Sequence, residues 1–80
     1  MATKIAPATR RAAVEIGKRI RAAREKAGLS QEVLAKRVGM TRANYARLEY
    51  GVTNVTLDTL LRVSKGLELT LAVDFEEPER

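Results

Sequence analysis

Three times within residues 29–60, a hydroxyl residue stands between two apolar ones at the same spacing. Ser30 has Leu29 before it and Leu34 four places on; Thr41 has Met40 and Tyr45; Thr56 has Val55 and Leu60. A hydroxyl at that place accepts a hydrogen bond from a free N–H of the first helical turn. The flanking apolar pair closes over it and fixes the angle at which the chain starts its helix. The triplets therefore predict short helices over 30–38, 41–50 and 56–66, stopped by Gly39, Gly51 and Gly66. A chain punctuated in this way is committed to a small helical bundle.

Residues 1–7 lack periodicity and are expected to form a flexible N-terminal arm. A first helix opens at Pro7 or Ala8, because proline is tolerated in a first turn, and runs to Ala27, with Gly28 ending it. Ile16, Ile20, Ala23 and Ala27 form its buried stripe. At the other end the period changes. Leu67, Leu69, Leu71, Val73 and Phe75 alternate with Glu68, Thr70, Ala72 and Asp74, the mark of a strand with one buried face. A lone strand cannot stand by itself. It would pair with residues 3–5 or, the preferred reading, with its own copy in a second chain; a fifth helix docked through the same leucines is the alternative. The domain plan is thus an arm (1–7), a helical domain (8–67), a dimerisation strand (68–75) and an acidic tail (76–80).

Composition narrows the chemistry. The 80 residues include no Cys and no His, which excludes thiolate sites, disulfides and the usual neutral-pH base. No carboxylate cluster with ligand spacing precedes the tail, so neither a metal nor an organic cofactor is expected, and no small-molecule ligand is evident. No apolar run approaches a membrane span, and a cytoplasmic, nucleoid-associated protein is expected. The net charge of +5 divides unevenly. Residues 1–73 hold 14 basic and 6 acidic side chains, whereas 74–80 hold one basic and four acidic. A compact basic body suits a polyanion, because each phosphate neutralised releases condensed counterions; a merely soluble basic surface is the plainer alternative.

The helices at 31–38 and 41–50 are separated by Gly39-Met40, the spacing of a helix-turn-helix. Ala35 sits where the two would cross, and Val38, Tyr45 and Leu48 would close the small core between them. The string RAAREKAGLSQEVLAKRVGMTRANYARLEYG over 21–51 resembles the Cro/C1-type (XRE) helix-turn-helix family of bacterial and phage regulators. The likeness lies in G-L-S-Q-E, L-A-x-x-x-G, the Thr cap and R-L-E-x-G, with T-L-D-T-L-L-R-V matching the family's fourth helix. It covers roughly residues 16–67. Two departures stand out: Val55 replaces the proline before the fourth helix, and the strand replaces a fifth helix. That ending is similar to antitoxin-type members of the HipB kind, whose dimers join through short C-terminal strands.

The resemblance implies a lambda-repressor-like bundle of four helices, a homodimer that binds double-stranded DNA, and no enzymatic activity. In such a protein the outer face of the second motif helix lies in the major groove. Arg42 and Arg47 would then read guanine, Asn44 adenine from the flank, and Ala43 and Ala46 thymine methyls. Gln31, Tyr50, Thr53 and Asn54 would hold phosphates. Arg24 and Glu49 would form a structural salt bridge, and Leu67, Leu69, Leu71, Val73 and Phe75 the dimer contact. The leading expectation is a repressor of a palindromic operator. The alternative is an antitoxin that binds a toxin protein and represses its own operon. A restriction–modification controller protein fits the same fold without a residue that singles it out.

Overall fold

The computed structural model describes residues 6–78. Four helices follow one another: α1 (Pro7–Lys26), α2 (Gln31–Arg37), α3 (Arg42–Tyr50) and α4 (Leu57–Gly66). Each of the last three starts at its hydroxyl cap. Ser30 accepts from the Val33 amide, Thr41 from the Asn44 amide and Thr56 from the Thr59 amide, each at 3.1 Å. α1 instead has Pro7 in its first turn and no side-chain cap, so proline's preset backbone angle starts it.

α3 packs against both α1 and α2, and α4 packs on α2. The core is Ile20, Leu34, Ala35, Val38, Tyr45, Leu48 and Val63. The apolar members of the caps (Leu29, Leu34, Met40, Tyr45, Val55 and Leu60) all belong to this core or pack against it. The same residues that set the helix starts therefore hold the bundle together. Tyr45, Leu34 and Leu48 are fully buried, and burying a side chain of this size contributes about 1.5–3 kcal/mol.

Two expectations need correction. Gly66 does not break α4; it is the helix's last residue. A Cβ there would press within 3.1 Å of Leu34 and Val38, so its smallness serves the α2–α4 contact. The break comes at Glu68, whose φ of 58° lies in the left-handed region. The second correction concerns the strand. Among the described residues there is none. Leu67 closes α4 by donating its amide to the Val63 carbonyl, and it packs on its own core. The turn at Glu68 then interrupts the alternation at its first step. Over residues 69–78 the chain has no regular structure, with Leu69, Val73 and Phe75 exposed and Leu71 half-buried. Residues 3–5, offered as an intramolecular partner, lie outside the described residues, as does most of the expected arm.

Candidate nucleic-acid interface

Leu34 and Ala35 of α2, and Tyr45, Leu48 and Glu49 of α3, are buried where the two helices meet. The intervening turn passes through Gly39 at φ 72°, which a residue with a side chain adopts only under strain. With that face of α3 occupied, the opposite one is free. Arg42, Ala43, Asn44, Arg47 and Tyr50 are exposed, and Ala46 is half-buried. Arg47 and Tyr50 follow Ala43 at helical spacing, so these three share the outermost line. Arg42 and Asn44 stand to either side at the N-terminal turn.

A cluster of polar side chains supports the helix from behind. Glu49 is at its centre. Arg24 of α1 donates to Glu49 twice, from Nε to Oε2 at 2.6 Å and from Nη2 to Oε1 at 3.2 Å. Gln31 of α2 donates its amide Nε2 to Oε1 at 3.0 Å, and the Tyr45 hydroxyl donates to Oε2. Arg24 also reaches the Leu29 carbonyl at 2.8 Å, tying the end of α1 to the start of α2. The Arg24 and Glu49 side chains keep only 11% and 4% of their surface in solvent.

Burial alone would push the Glu49 carboxyl up. Hydrogen bonds from Arg24, Tyr45 and Gln31, with the charge of Arg24, outweigh it and hold the group below the ordinary carboxylate range. The Tyr45 hydroxyl is pushed well above its ordinary value, first by burial and then by its bond to Glu49. The cluster is therefore a carboxylate with three donors around it at neutral pH. Among the described residues no buried side-chain polar atom lacks a partner.

Two glycines let the backbones of α1 and α3 come together. A Cβ on Gly17 would collide with the carbonyl oxygens of Leu48 and Glu49, and one on Gly51 would collide with the backbone of Val14. Gly51 also ends α3 in the left-handed conformation, with φ 74°. Beyond it lie Thr53, half-buried, and Asn54, exposed.

The site residues read from the sequence thus divide. Arg42, Ala43, Asn44, Arg47 and Tyr50 share an accessible helix, whereas Ala46 is partly covered. Gln31, read as a phosphate ligand, is half-buried with its Nε2 engaged by Glu49. Its tie to Glu49, the role of the Tyr45 hydroxyl and the close approach at Gly17 were all missed. Only the four-residue spacing of Tyr45 and Glu49 offered a clue to any of them. Arg37 donates to the Gly66 carbonyl at 3.1 Å and helps hold α4 on α2. Among the described residues no group of three or more acidic side chains could hold a metal ion. No helix there is long and apolar enough to cross a membrane.

Known proteins place this arrangement in context. The sequence pattern of the helix-turn-helix family matches residues 20–73. The control protein C.MunI of a Mycoplasma species is 39% identical over 57 residues, spanning 71% of this chain and 77% of that protein. The crystal structure of the restriction-modification controller protein C.AhdI from Aeromonas hydrophila superposes with a TM-score of 0.72 at 35% identity. That match covers 75% of this chain and 91% of the other.

Proposed function

Since this chain belongs to the helix-turn-helix family, we propose that it is a sequence-specific DNA-binding regulator of transcription that acts as a homodimer. The observation that carries this reading is the outer face of α3: arginines and small residues on an exposed helix that α1, α2 and a buried ion pair hold in place. Arg42 and Arg47 can each offer two hydrogen bonds to guanine, and Ala43 leaves room for close approach to the bases; half-buried Ala46 is the weakest of the proposed base contacts. Asn44 reads from the flank, and Tyr50, Thr53 and Asn54 hold the backbone. Gln31 keeps a role at the phosphate through the part of its amide that Glu49 does not engage.

The second copy is called for by apolar surface that this chain leaves uncovered. Leu57 and Leu61 lie one turn apart on the outside of α4, and Leu69, Val73 and Phe75 follow in the C-terminal segment. In the proposed dimer, residues 69–75 of two copies pair across a two-fold axis and Leu71 turns inward, while Leu67 remains with its own core. Repression follows from occupying a promoter. The two similar controller proteins favour a narrower reading, in which the operator governs a restriction–modification system. Nothing among them favours the antitoxin alternative or a toxin partner.

Selection of bound sequences from a random duplex pool tests the proposal. Two inverted half-sites about one helical turn apart, roughly 34 Å, are expected. Single half-sites would overturn the dimer, and no enrichment would overturn DNA reading.

A further inference from the structure

The first turns of α1 lie outside the family match, which begins at residue 20, and they are not a loose arm. Ala8, Thr9, Ala12, Ala13 and Ile16 form, with Asn54 and Val55, the walls of a shallow groove of about 380 Å³. The backbone of Gly51 meets that of Val14. The loop between α3 and α4 therefore crosses α1, from Val14 on one side toward Ala12 and Ile16 on the other. This is the loop that carries Thr53 and Asn54.

Arg10 stands one turn before Val14 and two turns before Gly17, on the edge of α1 that faces the end of α3. Arg11 follows it about 100° further round the helix, away from that edge. Both arginines are exposed, and among the described residues neither is in an ion pair. The first carboxylate along α1, Glu15, is paired with Arg19 at 3.5 Å. Arg10 is thus an exposed cation on the edge of α1 turned toward the end of α3, on a helix that the loop packs against.

We propose that Arg10 is a further DNA-backbone contact, set by α1 on the edge that meets the end of α3, where the loop carrying Thr53 and Asn54 begins, and neutralising a phosphate there. It rests on the DNA-binding reading above and extends the footprint beyond the region that the family match covers.

Arg10→Ala and Arg11→Ala change the net charge equally, so comparing them separates a placed contact from the general field. Affinity for the selected operator is measured across a salt series for the wild type, both variants and Arg10→Lys. Arg10→Ala is expected to weaken binding about three- to tenfold and to flatten the salt dependence by about one phosphate per chain. Arg10→Lys should restore the slope, and Arg11→Ala should stay within about twofold of the wild type. Unchanged thermal melts would confirm that both alanine variants fold. Equal losses from the two alanine variants, or none from Arg10→Ala, would overturn the contact and leave DNA binding standing. A wild-type chain that bound no duplex would overturn the DNA-binding reading and this inference with it.

Discussion

Glu49 accepts hydrogen bonds from side chains on three helices, and its removal leaves each of them short of a partner. Arg24 is the most costly to strand, because its guanidinium is largely out of solvent. Glu49→Ala is accordingly expected to lower unfolding stability by about 3–5 kcal/mol, the range for breaking a buried pair from one side; urea titration measures it. The pH dependence has two limbs. Glu49 titrates below the ordinary carboxylate range when folded, so its stabilisation is complete above about pH 4.3, the unfolded value, and is lost as the pH falls through the folded one. Tyr45 is shifted upward, so its stabilisation is complete below about pH 10 and is lost as the pH rises through its folded value. Urea midpoints should therefore fall at both extremes. Glu49→Gln should flatten the acid limb and Tyr45→Phe the alkaline one. Much of this cluster was not legible in the sequence. Gln31 and Glu49 are 18 residues apart with no pattern linking them, and the Arg24–Glu49 pair was suggested only by family resemblance.

The helices themselves were largely legible, because their start signals are local. A hydroxyl cap with its apolar neighbours acts within five residues, and all three such caps begin a helix. Thr41→Ala should remove the bond to the Asn44 amide and cost about 1 kcal/mol, measurable by thermal melting. The packing of those helices was less legible. Gly17 reads as a weak spot inside α1, yet it is where the carbonyls at the end of α3 come closest. Gly17→Ala should favour an isolated helix but cost the folded chain about 1–3 kcal/mol, since backbone must move to admit the methyl group. A stability gain would contradict the close approach. The C-terminal alternation was legible only as a run of apolar side chains, not as a strand of the single chain. Alternation marks a face that wants covering, but a strand also needs a neighbour for its backbone. Leu67 finds its cover in the core and Glu68 turns the chain there, so the proposed pairing is confined to residues 69–75.

For the whole molecule, uneven charge and uncovered apolar surface point the same way. The basic excess lies in residues 1–73, and four of the ten acidic residues stand in the last seven positions. Phe75, 93% exposed, sits among those four, so in the proposed dimer their negative charge gathers with the paired C-terminal segments. If α3 reads base sequence, Arg47 on its outermost line contributes to the preference for particular bases. The measurement is the affinity of wild type and Arg47→Ala for the selected operator and for every single-base variant of one half-site. Arg47→Ala is expected to lose about 1–3 kcal/mol on the operator and its preference at one base position, while discrimination elsewhere is kept. An equal loss on every sequence, with all preferences intact, would make Arg47 a phosphate contact and overturn base reading by this face of α3.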